Sequence, residues 1–145
     1  MVITFCGHSE IQDVEAVRNW TSEAIDSVLS AGAKTFLLGG YGAYDQLCAE
    51  LLRKKKAEYP DIEIILVLPY LDSKMDRSRY DDTVYPPIEN APKRYAILKR
   101  NEWMVDQADA VIAYVTHDWG GASKTLSYAN RHKKLVYVFP HNVIV

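Results

Sequence analysis

Short, predominantly apolar runs alternate along this chain with longer amphipathic segments, and this alternation is its most constraining feature. The apolar runs cover residues 2–6, 34–38, 62–68, 110–115 and 135–139. The amphipathic segments cover residues 11–31, 43–59, 93–109 and 123–131. Strands that are apolar throughout are typical of a parallel sheet whose crossover helices cover both faces. The pattern therefore predicts an α/β fold: a Rossmann-like three-layer α/β/α sandwich with a mainly parallel five-stranded sheet.

Two other segments lie outside this alternation. Residues 71–92 are mostly polar and contain three prolines. A loop of this length within a compact domain is usually functional or disordered. The last residues, 142–145, predict a short additional edge strand. The 145 residues suit one domain, so we expect a single unit over residues 1–145.

The net charge of −2 gives the chain no overall positive field. We therefore expect no nucleic acid and no anionic membrane among its partners. Cys6 and Cys48 fall in apolar segments, which predicts that both are buried. We expect both to be free thiols in a protein of a reducing compartment. The chain shows neither a signal peptide nor a run of about 20 apolar residues, which predicts a cytoplasmic protein. No cysteine or histidine spacing indicates a metal site, and no cofactor is indicated.

Small or turn-forming residues follow four of the five predicted strands. Gly7-His8 follows the first, Gly39-Gly40 the second and Pro69-Tyr70 the third, and Gly120-Gly121 lies in the turn after the fourth. The carboxyl ends of parallel strands share one edge of the sheet, where ligands bind. Glycine lets a ligand approach the backbone, and a helix N-terminus offers free N–H groups to an anion. We expect a phosphate or carboxylate compound to bind at this edge.

Several side chains along the edge have both a binding and a structural interpretation. The hydroxyls of Ser123 and Thr125 suit a phosphate, although Ser123 also suits a helix cap. Asp45 suits a ribose hydroxyl or a base, or it balances the dipole of its helix. Glu50 is better explained as a residue of the helix face.

Two further positions in the predicted site are also ambiguous. Arg100, followed by Asn101, reaches a phosphate or forms a surface salt bridge. His8 belongs to the pocket rather than to the core, and a role as general base is a weaker possibility.

Taken together, five segments resemble the SLOG superfamily, and within it the YpsA-like branch of small bacterial proteins. These segments are FCGH, LLGGYGAYDQLCAE, LPY, RNEWMVDQADAVIAYV and GGASKTLSYA. The resemblance covers residues 4–139 and implies a Rossmann-like domain that binds nucleotides or nucleotide-derived ligands. It also implies a possible homo-oligomer. The positions that match are Gly7, His8, Gly39, Gly40, Asp45, Glu50, Arg100, Asn101, Gly120, Gly121 and Thr125.

One departure bears on activity. The Lonely Guy phosphoribohydrolases of this superfamily carry a PGGxGTxxE pattern, whose glutamate serves N-glycosidic cleavage. Here Trp119 replaces the proline, and no glutamate follows the glycines. Asp45 and Glu50 are the weak catalytic candidates that remain.

Three functions follow as hypotheses. The first is binding or sensing of a nucleotide or nucleotide-derived ligand at the C-terminal edge of the sheet. The alternative is a nucleotide N-glycosidase, a phosphoribohydrolase-like hydrolase that needs a carboxylate in the pocket. The third is an interaction protein whose pocket has collapsed or is filled by Trp119 and Tyr44.

Overall fold

A computed structural model describes residues 1–140, so the edge strand predicted at residues 142–145 lies outside the described residues. The fold is a parallel sheet of six strands with four α-helices. The strands are β1 Val2–Gly7, β2 Thr35–Leu38, β3 Glu63–Val67, β4 Asp82–Val84, β5 Ala110–Tyr114 and β6 Leu135–Val138. The helices are α1 Val14–Ser30, α2 Gly42–Lys55, α3 Ala96–Gln107 and α4 Gly121–Arg131. The predicted Rossmann-like α/β fold is confirmed.

Alternating side chains of the central strands face two separate helical layers. Ile112 of β5 packs in the cluster that contains the apolar residues of α1 and α2. Its neighbours Val111 and Ala113 pack instead with Val105 of α3 and Ala129 of α4. This two-residue alternation explains why the central strands are predominantly apolar, since both faces of the sheet are covered.

The strand order is β4-β3-β2-β1-β5-β6. The chain moves outwards from β1 to one side through β2, β3 and β4, and then crosses back to place β5 on the other side of β1. In open parallel sheets, the loops that follow the strands on either side of such a reversal separate and leave a crevice. The topology therefore places a crevice beyond the carboxyl ends of β1 and β5.

Strand β4 corrects the prediction of five strands and of an irregular segment at residues 71–92. It pairs parallel to β3, with Ile65 opposite Asp82. Asp81, which directly precedes the strand, fixes its beginning against β3: its carboxylate accepts a hydrogen bond from the N–H of Ile64 at 2.8 Å. The same carboxylate forms ion pairs with Arg53 at 2.9 Å and Lys56 at 2.8 Å. The strand has three residues, all exposed or half-buried, so it leaves no apolar run in the sequence.

Helix ends differ from the predicted ones by a few residues. Helix α4 begins at Gly121 rather than at residue 123, because Gly120 adopts a φ of +92° and turns the chain into the helix. Ser123 therefore lies inside the first turn, and its predicted role as a cap is wrong. Helix α1 begins at Val14, where the Asp13 side chain accepts the N–H of Ala16 at 3.3 Å. A 3₁₀ turn at Lys93–Tyr95 precedes α3.

Gly7 allows β1 to pack closely against α2. A Cβ atom at this position would overlap the ring of Tyr44, which is fully buried. The Tyr44 hydroxyl lies 3.0 Å from the hydroxyl of Thr21 and so connects α2 with α1. Cys6 and Cys48 are buried free thiols. Within residues 1–140, no helix has the length and apolar character needed to cross a bilayer.

Candidate functional site

A cavity of about 600 Å³ occupies the crevice beyond β1 and β5. Its wall is formed by the ends of these strands, the loops that follow them, the start of α2 and one face of α3. Eight of the residues predicted for the site line it: Gly7, His8, Asp45, Arg100, Asn101, Gly120, Gly121 and Thr125. The topology therefore brings together residues from both halves of the chain.

Four other predicted residues lie outside the cavity wall. Gly39, Gly40 and Ser123 are not among the residues that line it, and Gly39 packs against the guanidinium of Arg100. Glu50 pairs with Arg18 at 3.3 Å and with Lys54 at 3.6 Å. Its place on the outer face of α2 agrees with the structural interpretation of this residue. Of the two carboxylates suggested by the sequence, Asp45 lines the cavity, and Glu10, which the sequence did not suggest, lines it as well.

Arg100 is a buried cation on the cavity wall, with only 2% of its surface exposed. Its Nη1 donates to the carbonyls of Gly39 at 3.0 Å and Val67 at 2.8 Å, and its Nε donates to the Asn101 amide oxygen at 2.8 Å. Among the described residues, no carboxylate lies within ion-pairing distance of it. The surface salt bridge considered as its alternative role is therefore wrong.

The environment of Arg100 disfavours its charge. Burial lowers the pKa of its guanidinium, and the nearby carboxylate of Asp45 opposes that shift without contacting it. A buried cation whose direct partners are neutral carbonyls is only partly compensated, because these partners supply dipoles and the charge of Asp45 acts on it without a direct contact. An anion in the cavity would complete the site.

Asp45 enters the cavity from the first turn of α2 and is half-buried. Burial raises the pKa of its carboxyl group to about 6. The charge of Arg100 and the backbone N–H groups of Tyr41, Gly40 and Gly39 oppose the shift without cancelling it. A carboxyl group with this pKa is mostly ionised at neutral pH yet accepts a proton readily, as a general base requires.

His8 is held in one tautomer on the opposite wall. The backbone N–H of Thr116 donates to its Nε2 at 2.8 Å, so Nε2 carries a lone pair and the proton of the neutral ring lies on Nδ1. Burial and the nearby His117 lower the pKa of His8. The nitrogen that would act as a base is already an acceptor, so the geometry favours a structural role.

Three rings form a face-to-face stack on this wall, which we call the aromatic column. The ring centroids of His8 and His117 are 3.8 Å apart at an interplanar angle of 16°, and those of His117 and Trp119 are 3.7 Å apart at 15°. Trp119 is 68% exposed, whereas Tyr44 belongs to the core. These two residues therefore leave the cavity open, which counts against the hypothesis of an interaction protein with a filled pocket.

The start of α4 contributes backbone to the site. Gly120, Gly121 and Ala122 line the cavity, and the first internal bond of the helix runs from the Lys124 N–H to the Gly120 carbonyl at 3.1 Å. The N–H groups before Lys124 are those that an α-helix leaves free for a ligand. The Thr125 hydroxyl instead donates to the Gly121 carbonyl at 2.9 Å, so it serves its own helix.

Sequence reasoning did not select several residues of the wall. They include Tyr41 and Tyr114. Each lies next to a strand end or a glycine pair that was selected, and this proximity was the available signal. Their aromatic character indicates core and binding roles equally, so the sequence did not distinguish the buried Tyr114 from the exposed Trp119.

No protein-family model matches the chain, and no curated protein is significantly similar to it in sequence. Its fold is similar to that of DNA processing protein A from Helicobacter pylori, in a structure that describes a single-stranded DNA binding mode. The TM-score is 0.67 at 17% identity, over 99% of this chain and 66% of the other. It is also similar to the structural genomics target TM1055, with a TM-score of 0.63 at 15% identity over 93% of this chain and 71% of that one.

At these identities the similarity shows the Rossmann-like fold. The resemblance to the SLOG superfamily and to its YpsA-like branch stays a prediction. The expectation that nucleic acid is excluded as a partner is contradicted, because the fold is shared with a protein that binds single-stranded DNA. Overall charge was the wrong criterion, since strand binding depends on local cationic and aromatic groups.

Proposed function

We propose that this protein binds a nucleotide or nucleotide-derived ligand in the cavity at the C-terminal edge of the sheet. The observation that carries this proposal is the buried guanidinium of Arg100, which lines the cavity without a carboxylate partner among the described residues. The anionic part of the ligand would supply the missing charge. Such a pairing is strong because the site is shielded from solvent.

Two further properties of the cavity support a ligand of this class. Its volume of about 600 Å³ lies within the range of roughly 300–1,000 Å³ found for small-molecule sites. The free N–H groups at the start of α4 add a second attraction for a phosphate. Asp45 then provides an acceptor for a ribose hydroxyl. This arrangement agrees with the resemblance to the SLOG superfamily and its YpsA-like branch.

Isothermal titration of purified protein with adenosine 5′-monophosphate and with ribose 5-phosphate tests the proposal. We expect both to bind the wild type, and Arg100→Met to weaken both at least tenfold. Arg18→Met is the matched control, because Arg18 is partly exposed and pairs with Glu50 away from the cavity. Equal affinities of the wild type and Arg100→Met for these compounds would overturn the proposal. It would also be overturned if the wild type bound neither compound.

The same titration should include a short single-stranded oligodeoxynucleotide, because the Helicobacter pylori protein binds single-stranded DNA. Tighter binding of the oligonucleotide than of the mononucleotide would extend the ligand from one nucleotide to a strand. The homo-oligomer implied by the resemblance stays a prediction, which light scattering would test.

N-glycosidic cleavage of a nucleotide is the second candidate function, and the placement of Asp45 favours it. Its carboxyl group lines the cavity with a pKa of about 6, in reach of a ligand whose phosphate lies at Arg100. Release of free base from nucleoside monophosphates, followed by chromatography, tests this reaction. Activity that is lost in Asp45→Asn and kept in Glu50→Gln would support it, and binding without base release would exclude it.

A further inference from the structure

The aromatic column of His8, His117 and Trp119 has the form of a short stack of bases. Its two centroid separations, 3.8 and 3.7 Å, and its small interplanar angles describe rings in full face-to-face contact. All three rings line the cavity. Aromatic faces arranged in this way bind nucleic acid bases in other proteins, because every base offers a flat π-face.

The column is anchored at its inner end and open at its outer end. The inner ring, His8, accepts the Thr116 N–H at 2.8 Å and packs against the edge of Tyr114, with centroids 5.3 Å apart at 72°. The outer ring, Trp119, has one face on His117 and is 68% exposed. Stacking on His117 already fixes the Trp119 side chain, while its second face stays exposed. A ligand can therefore stack on that face without the loss of side-chain entropy that immobilising a mobile tryptophan would cost.

An unsatisfied polar atom lies within the column. Nδ1 of His117 is buried and finds no hydrogen-bond partner among residues 1–140. Buried polar atoms almost always have a partner, so a group that binds beside this ring would correct the deficit. This atom and the open face of Trp119 lie on the same wall.

We propose that the open face of Trp119 stacks on the base of the bound nucleotide, while Arg100 holds its anionic group. This inference rests on the proposed function and names the part of the ligand that the anion site leaves undefined. It predicts a ligand with an aromatic ring, and it distinguishes nucleotides from sugar phosphates. Because overlap grows with ring area, purine nucleotides bind more tightly than pyrimidine nucleotides.

Three ligands and two variants separate this inference from the proposed function. The ligands are adenosine 5′-monophosphate, uridine 5′-monophosphate and ribose 5-phosphate, and the variants are Trp119→Ala and Trp119→Phe. In the wild type we expect adenosine monophosphate to bind roughly 5- to 150-fold more tightly than ribose 5-phosphate, the range found for stacking of one base. In Trp119→Ala this advantage disappears, whereas the affinity for ribose 5-phosphate is unchanged. Trp119→Phe keeps part of the advantage of adenosine monophosphate over ribose 5-phosphate.

Fluorescence gives an independent measurement. Adenosine monophosphate should quench tryptophan emission in the wild type and not in Trp119→Phe, which retains Trp20 and Trp103. If adenosine monophosphate binds Trp119→Ala as tightly as the wild type, the stacking inference is wrong while the anion site stands. If ribose 5-phosphate binds the wild type as tightly as the nucleotide, stacking is again excluded. If none of the three ligands binds, both proposals fall.

Discussion

The guanidinium of Arg100 occupies the space in which a side chain at position 39 would begin. Its Nη1 donates to the Gly39 carbonyl at 3.0 Å, and a Cβ atom on Gly39 would lie 2.8 Å from its Cζ. Gly39 thus contributes to the candidate site from behind the wall, by leaving room for the charged group. A glycine that the sequence suggested as a ligand contact is a positioning residue for the arginine.

Gly39→Ala should therefore weaken anion binding without disrupting the sheet. The backbone at this position is accessible to alanine, so the added methyl group acts by displacing the guanidinium from its carbonyl partners. We expect affinity for ribose 5-phosphate to fall at least tenfold. We also expect a loss of about 1–3 kcal/mol in the free energy of unfolding, the usual cost of leaving buried polar groups unpaired. Titration calorimetry and urea denaturation measure the two effects.

Gly121→Ala is the control for the stability measurement. Apart from its chain neighbours and the backbone of its own helix, no atom in the described part of the chain lies within 4 Å of a Cβ built at this position, so the change meets open space. Its free energy of unfolding should stay close to that of the wild type. If Gly39→Ala were as stable as Gly121→Ala and kept its affinity for ribose 5-phosphate, Gly39 would not be needed to position the guanidinium of Arg100.

Asp45→Asn should stabilise the protein at neutral pH. The pKa of Asp45 rises from 3.8 in the unfolded chain to about 6 in the fold, so between these values the folded state binds more protons. The contribution of Asp45 to stability is therefore present at low pH and is lost as the pH rises through about 6. Asparagine does not ionise, so the gain in the free energy of unfolding should be larger at pH 7.5 than at pH 5.

Glu50→Gln is a control of opposite sign for the Asp45 measurement. Hydrogen bonding and charge from Arg18 lower the pKa of Glu50, so its contribution is present at neutral pH and is lost on acidification. Urea denaturation at both pH values should show no gain for this variant at pH 7.5. A gain for Asp45→Asn that is greater at pH 5 than at pH 7.5 would contradict the buried-carboxyl interpretation.

The tautomer of His8 is directly measurable. Long-range ¹H–¹⁵N correlation spectra at pH 7.5 should show a neutral ring protonated at Nδ1, because Nε2 accepts the Thr116 N–H. The pKa of His8 is lowered, so its contribution to stability is present above 6.5 and is lost as the pH falls. His8→Phe should therefore reduce the part of acid destabilisation that develops below pH 6.5. A ring protonated at Nε2 would exclude the hydrogen bond and its role in anchoring the column.

Much of the fold was predictable from local patterns. Residues 110–115 are apolar at every position and residues 2–6 at every position but Thr4, because each side chain of a central parallel strand meets one of two helical layers. The glycines after the strands located the edge of the sheet that holds the cavity. Strand β4 was missed, because its pairing depends on the contact between Asp81 and Ile64 rather than on an apolar run.

The roles of individual site residues required the tertiary structure. Gly7 and Gly39 look alike in the sequence as glycines at strand ends, yet one accommodates Tyr44 and the other Arg100, while Gly121 borders open space. The partners of such residues are distant in sequence. Gly39 and Arg100 are 61 positions apart, and His8 and Thr116 are 108 apart.

The sequence by itself therefore determined the class of fold and the edge at which a ligand would bind, because hydrophobic periodicity and backbone turns are local properties. Only the tertiary structure decided that Arg100 is a buried cation held by backbone carbonyls and that His8, His117 and Trp119 form a column. The physical reason is that burial and stacking depend on the order of the strands. Placing β5 beside β1 brings two distant loops together, and local propensities do not encode that juxtaposition.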